Sequence, residues 1–152
     1  MKRGLSMVDI GSKPAINRLA TATGKIVLRE ETIKRIKSGD IEKGDPIYTA
    51  RIAAILAAKA TSTLIPLCHP IPLSNIQISE QLANTEVSVS VTVKATAKTG
   101  VEMEALTAVS AALLTIWDMT KQYEKDESGQ YPETSIKEVR VIKKTKESTR
   151  IE

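Results

Sequence analysis

Glu86 to Ala97, EVSVSVTVKATA, is the stretch that most limits what this chain can become. Val87, Val89, Val91 and Val93 alternate with Ser88, Ser90, Thr92 and Lys94. A period of two sends the valines to one side of a strand and the hydroxyl and ammonium groups to the other. Such a strand needs cover on one face only, as in an antiparallel sheet beneath a layer of helices. Asn75–Ala83 alternates in the same way. Ala83, Asn84 and Thr85 separate the two runs, so an antiparallel hairpin is expected.

The other segments supply a third and fourth strand and the covering layer. Ala15 to Leu28 has a rough strand pattern, interrupted by Gly24. Glu30 to Ser38 reads as a short helix, with Thr32, Ile33 and Ile36 at helical spacing and Gly39 as its stop. Asp45 followed by Pro46 starts a second helix, with an N-cap and then proline in the first turn. Ile47, Ala50, Ile52, Ala54, Ile55 and Ala58 continue it, and its alanines allow a close neighbour. TSTLIPLCHPIPL, Thr61 to Leu73, carries Pro66, Pro70 and Pro72 and is expected to be an extended connector, not helical. A long helix follows from about Val101 to Glu124, then a loop, then a final strand over Ile136–Lys144. Residues 1–14 are expected to be irregular and the last residues to fray. The order β, α, α, β, β, α, β, without repeat or linker, describes one α+β domain over residues 1–152.

Composition narrows the function classes. Aromatic residues make up 3% of the 152 residues, with no Phe, so the core must be built from Ala, Val, Ile, Leu and Met. A formal net charge of +4 suits an anionic ligand such as a phosphate ester. Long basic runs and stacking aromatics are missing, which argues against nucleic acid as the partner. Cys68 is the sole cysteine, which excludes an internal disulfide framework and fits a reducing cytoplasm. The first residues form no signal peptide, and no run is long and apolar enough for a membrane span.

The long helix has a core stripe of Ala105, Leu106, Val109, Ala112, Leu113, Ile116 and Trp117. Glu104, Thr107, Ala111, Leu114, Asp118 and Lys121 fall on the opposite side. That second face is small and semi-apolar, with charge only at its ends, which suits burial against a ligand or another chain. Glu104 and Asp118 are separated by about 21 Å along the axis at 1.5 Å per residue. If both serve one small ligand, a second subunit must bring its own copy alongside. The charges also have a simpler reading. Glu102 and Glu104 complement the helix dipole, and Asp118 with Lys121 is an ordinary i,i+3 ion pair.

LCHP, Leu67–Pro70, holds the only histidine on a proline-stiffened segment. His69 is a candidate proton relay or phosphate contact, or else a structural imidazole. Cys68 and His69 are adjacent and would point to opposite sides of an extended segment, so they are not a nucleophile pair. One His and one Cys are too few for a metal site. Lys43, beside Gly44 and a helix start, is a candidate phosphate contact or an exposed loop lysine, and Arg18 stands the same way. Neither a Walker A loop nor a GxGxxG fingerprint occurs.

Taken as strings, the residues say more. MVD at Met7–Asp9, KGD at Lys43–Asp45, ARIA at Ala50–Ala53, LIPLCHP at Leu64–Pro70, KTGVEMEALTA at Lys98–Ala108 and WDMTK at Trp117–Lys121 follow in this order. Over nearly its whole length the chain resembles the cyclic pyranopterin monophosphate synthase family of molybdenum cofactor biosynthesis, known as MoaC. LCHP and KTGVEMEAL carry the most specific part of the likeness. The end of the chain departs from it. KKTKESTRIE stands where members of that family often have a Gly-Gly-Lys-Ser-Gly-like tail, so no tail lysine is carried over.

The resemblance implies a ferredoxin-like α+β subunit in a hexamer, a trimer of dimers, with active sites at the dimer interface. It implies a phosphorus–oxygen lyase acting on (8S)-3′,8-cyclo-7,8-dihydroguanosine 5′-triphosphate, with cyclic pyranopterin monophosphate and diphosphate as products. It assigns acid–base work to Asp118 and Lys121, with Lys121 exchanging protons and Asp118 orienting it. It implies substrate binding by Leu67, Cys68 and His69, by Met103 and Glu104 with Glu102 beside them, and by Lys43, with Arg18 as a further cation. His69 and Lys43 would contact phosphates, and Glu104 the base-derived ring. No cofactor is required, although the triphosphate could bring magnesium. The competing expectation is a non-catalytic ferredoxin-like module for nucleotide or RNA. It would want exposed aromatics on the sheet, and the Ser88–Lys94 face offers none.

Overall fold

The computed structural model of the chain describes residues 3–148. Its elements are β1 (Ile16–Val27), α1 (Glu30–Ser38), α2 (Pro46–Lys59), α3 (Thr61–Leu64), β2 (Asn75–Leu82), β3 (Glu86–Ala97), α4 (Glu102–Glu124) and β4 (Ser135–Glu147). The strands form one antiparallel sheet in the order β2-β3-β1-β4. The architecture is the ferredoxin-like α+β arrangement, with α2 and α4 packed together over the sheet. The expected hairpin is present, and residues 149–152, where fraying was expected, lie outside the described residues.

The valine alternation works as its period requires. Val87, Val89, Val91 and Val93 are buried beneath the helices. On the far face, Ser79 pairs in register with Ser90, and Gln77 and Thr21 flank Thr92. Thr21 and Thr92 share a hydroxyl hydrogen bond of 2.7 Å. β2 directs one carboxylate, Glu80, toward the helix layer. The Arg51 guanidinium of α2 satisfies it through two hydrogen bonds, of 2.7 and 2.8 Å. A planar fork of this kind ties the edge strand to the helix above it.

Two expectations need correction. Gly24 does not interrupt β1, which runs unbroken through it. It pairs with Val89, and the ladder to β4 shifts register beside it, between Thr23 and Lys25. The missing side chain makes room for α4. A Cβ at Gly24 would stand 2.8 Å from Leu113 Cδ1 and 2.9 Å from Val109 Cγ1. The Thr61–Leu73 segment is not extended throughout, because Thr61–Leu64 forms one helical turn ahead of Pro66. The Thr61 hydroxyl donates to Ala57 O and Ala58 O, which carries the turn on from the end of α2. As the alanine content of α2 suggested, its alanines face the core, and Ile52 and Ile55 are substantially exposed. Ala50, Ala54, Ala57 and Ala58 are the buried side chains, and they let α2 lie close against α4.

The far end of α4 is pinned by Glu124, which is fully buried. Its carboxylate accepts from the Arg29 backbone N–H through both oxygens, at 3.1 Å each, and from the hydroxyls of Thr32 and Thr134. Arg29 is the N-cap of α1 and provides no side-chain cap of its own. Glu124 therefore supplies acceptors to the start of α1 from another element and fixes α4 against it.

Gly24→Ala should destabilise the protein by about 1–3 kcal/mol, because α4 must shift or Leu113 must leave its rotamer. Urea unfolding of the variant measures this. A midpoint equal to that of wild type would show that the helix does not depend on the gap.

Candidate active site

The charges of α4 are divided between two places at opposite ends of the helix. At the N-terminal end, the proline-rich connector folds over the first turn. Leu67, Cys68 and His69 face Glu102, Met103 and Glu104 across a cavity of about 310 Å³. Val8, Ile10, Lys13, Ile71, Thr99 and Gly100 complete its wall. The N-terminal segment belongs here because Lys98 Nζ donates to Gly11 O at 3.1 Å, while Gly11 N–H donates to Asp9. Cys68 N–H donates to Ile65 O, which turns the connector toward α4.

Glu104 is the unusual group. It was expected on the second face with Asp118, to be buried against a ligand or another chain; within the subunit it is already only 4% exposed, beside the connector. Its Oε2 is buried without a hydrogen-bond partner. Burial pushes its carboxyl above the ordinary glutamate value, and the nearby charge of Glu102 adds to the shift. The Cys68 thiol is also pushed up, by burial and then by the charge of Glu104, which disfavours the thiolate. Glu102 behaves oppositely. Burial alone would raise it, but the hydrogen bond with Lys144, its own N–H and the charges of Lys144 and Arg18 hold it below its ordinary value.

Arg18 is not in this cavity. Its guanidinium donates to Ala97 O at 3.4 Å and Lys98 O at 3.3 Å and braces the β3–α4 turn from behind. Lys13 and Lys144 were missed by sequence reasoning. Lys144 reaches Glu102 because the β4 register sets it opposite Ala20, on the helix side of the sheet. Nothing local in KKTKES signals that partner.

At the other end, Asp118 is held between two ammonium groups. Lys121 Nζ lies 2.9 Å from Asp118 Oδ1, the i,i+3 contact expected on one helix. Lys43 Nζ donates to Asp118 Oδ2 and to Asp118 O, both at 3.0 Å. Lys43, expected like His69 to contact phosphates, stands within one subunit at the opposite end of α4 from it. Hydrogen bonds from Lys121 and then Lys43 hold the Asp118 carboxyl below its usual value. Asp118 in turn raises Lys121. The cluster of two cations and one anion keeps one net positive charge in solvent reach. Beside it, Leu114, Trp117 and Ile136 line a shallow apolar depression, with Trp117 braced edge-on by Tyr131 at 5.3 Å between ring centres.

Between the two ends runs the expected open face. Leu114 is 60% exposed, and Thr107 and Ala111 are half-buried. Its width and small side chains leave room for another surface. Among the described residues, no group of three or more His, Cys, Asp or Glu side chains is placed to hold a metal ion. No helix there is long and apolar enough to cross a membrane.

The unpartnered Glu104 gives a signature in stability. Its raised folded-state value means that folding is favoured while the carboxyl is protonated. That contribution is lost as pH rises from the unfolded value through the folded one. Glu104→Gln should therefore raise the thermal midpoint more at neutral pH than at acid pH well below the ordinary glutamate value, where the wild-type carboxyl is protonated in both states. A variant that is less stable than wild type at both pH values would contradict the burial argument.

Comparison with known proteins finds likeness over almost the whole chain. The MoaC family pattern matches residues 7–147. A protein of Methanothermobacter thermautotrophicus, named probable cyclic pyranopterin monophosphate synthase accessory protein, is 56% identical over 145 residues, covering 95% of this chain and 91% of its own. Proteins named probable cyclic pyranopterin monophosphate synthase are similar in Methanococcoides burtonii and Sulfurisphaera tokodaii. The first is 54% identical over 93% of this chain and 89% of its own, and the second 58% identical over 92% and 93%. The stretches that build both ends of α4 lie within the matched residues, and the chain belongs to the MoaC family.

Proposed function

We propose that the protein is a cyclic pyranopterin monophosphate synthase of molybdenum cofactor biosynthesis. In this reading it converts (8S)-3′,8-cyclo-7,8-dihydroguanosine 5′-triphosphate to cyclic pyranopterin monophosphate and diphosphate, as a phosphorus–oxygen lyase in the cytoplasm. The observation that carries the reading is the Lys43–Asp118–Lys121 cluster at one end of α4, set against the carboxylate and histidine cavity at the other. Family membership supports the choice of reaction.

The chemistry makes two demands. Rearranging the purine-derived part into a pterin needs proton transfers. Closing the cyclic phosphate forms a bond from a sugar oxygen to the α-phosphorus and breaks the bond to the β-phosphate oxygen, so negative charge leaves with diphosphate. The two ammonium groups suit the second demand directly. Asp118 holds Lys121 protonated at neutral pH, so Lys121 enters the reaction as a proton donor and returns the proton later. Lys43, sharing the same carboxylate, stabilises charge on the leaving phosphate.

The other end suits recognition. Glu104 keeps its proton more readily than an ordinary carboxylate and has an unpartnered oxygen. It can both accept and donate hydrogen bonds along the edge of the base-derived ring. His69 and Lys13, on the same wall, are placed for phosphate oxygens, and Leu67 and Met103 present apolar surface to the ring. Arg18 acts indirectly here, by fixing the turn that carries Glu102. Magnesium, if it travels with the triphosphate, is part of the substrate.

About 21 Å of rigid helix keeps the two half-sites apart within one copy. We therefore assign each active site to two copies, one giving the Lys43–Asp118–Lys121 end and the other the His69–Glu104 end. A homohexamer built as a trimer of dimers would repeat that pairing, with the exposed middle of α4 inside the interface.

Turnover followed through diphosphate and pterin together tests the reading. Lys121→Ala should lose about a hundredfold or more in kcat while remaining folded. In Asp118→Asn, the alkaline limb of the pH profile should move to lower pH, because the charge that raises Lys121 is gone. Equal turnover by Lys121→Ala would remove this residue from the chemistry. An inert wild type, with substrate verified on an active synthase, would overturn the assignment.

A further inference from the structure

Lys43 reaches Asp118 from a loop, and long lysines on loops are seldom held in one place. The Gly39–Asp45 loop is held at several points. Gly39, with φ at 73°, caps the end of α1, and Asp45 caps the start of α2 by accepting from Ile47 N–H and Tyr48 N–H. Ile41 is buried, and Gly44 takes a φ of 105° that only glycine adopts freely. Those contacts fix the ends. The residue next to Lys43 is fixed by α4 itself. Glu42 N–H donates to the Tyr123 hydroxyl at 2.9 Å, and Gln122 Nε2 donates to Glu42 Oε2 at 3.0 Å.

Tyr123 is in turn locked from the far side. The Arg35 guanidinium stacks on its ring at 4.7 Å, and Asp40 pairs with the same guanidinium at 2.6 Å. The ring cannot swing away without breaking the cation–π contact. One helix thus grips the loop twice: at Glu42 through Tyr123 and at Lys43 through Asp118. The second grip is an exposed ion pair, which alone is weak and competes with side-chain freedom. The first is a hydrogen bond to the backbone, and it sets where the Lys43 side chain begins.

We propose that Tyr123 is a positioning residue that seats Lys43 on Asp118 through its hydroxyl contact with the Glu42 backbone. The proposal rests on the reading of Lys43, Asp118 and Lys121 as the reactive cluster. Losing the hydroxyl leaves Asp118 and Lys121 in place on their helix but lets the Lys43 ammonium wander by an ångström or more. In a site that works by placed charge, such a displacement costs rate rather than affinity.

Tyr123→Phe removes the hydroxyl alone and keeps the ring beneath Arg35. Two readouts are needed. One is trace acetylation of the native protein, with the rate at Lys43 measured against exposed Lys59 in the same sample. The other is steady-state turnover. In the variant, Lys43 should be acetylated severalfold faster relative to Lys59, while Lys121 keeps its wild-type rate. In parallel, kcat should fall about tenfold with KM changed by less than about twofold. An unchanged Lys43 rate would overturn the seating, whatever the turnover. A faster Lys43 with wild-type turnover would overturn its link to the reaction. A selective gain at Lys43 in a protein whose wild type is inert would uphold the seating and overturn the proposed reaction instead.

Discussion

Everything in this subunit depends on how closely α4 can approach β1. The helix face of that strand reads Ala20, Ala22, Gly24 and Ile26, all buried, and the missing side chain at Gly24 admits Leu113 and Val109. From above, the alanines of α2 close on α4 in the same way. A helix clasped between two small-residue surfaces has little freedom to roll or slide. With its end pinned through Glu124, it becomes the rigid beam that carries Glu102, Met103, Glu104, Asp118 and Lys121.

That rigidity explains why the charges stand where they do. The connector, stiffened by Pro66, Pro70 and Pro72, faces the first turn of α4. There it buries Glu104 and leaves one oxygen unsatisfied. A carboxyl in that state weakens the fold and is ready for a partner. At the opposite end the arrangement is reversed. Asp118 is oversupplied with cations and Lys121 is held protonated, so the cluster is ready for an anion. One end offers a group that wants a hydrogen bond, and the other offers uncompensated positive charge. A substrate with a guanine-derived ring at one end and a triphosphate at the other matches both.

Much of this was legible in the residues, for physical reasons. The valine alternation, the Asp45-Pro46 start and the Gly39 stop are local signals, and the elements they mark are present. The i,i+3 relation of Asp118 and Lys121 follows from helix geometry alone. What failed was whatever depended on another element. Gly24 looked like an interruption because its partner, Leu113, lies far along the chain. Glu104 was read as buried against a ligand or another chain, because helical spacing cannot foresee the connector of its own chain beside it. That Lys43 and His69 stand at opposite ends of α4 within one subunit is likewise a matter of the fold, which sends the Lys43 loop to the far end. Lys144 and Tyr123 owe their contacts to strand register and loop docking, which leave no mark in the local sequence.

The central claim is that one active site takes opposite ends of α4 from two copies of the chain. Mixing two inactive variants tests it most directly: His69→Ala, defective at one end, and Lys121→Ala, defective at the other. Random reassociation should restore about a quarter of wild-type turnover, because that share of paired sites receives both intact halves. No recovery, in a preparation shown to contain mixed oligomers, would mean that each copy works alone and that the two ends of α4 do not meet across an interface.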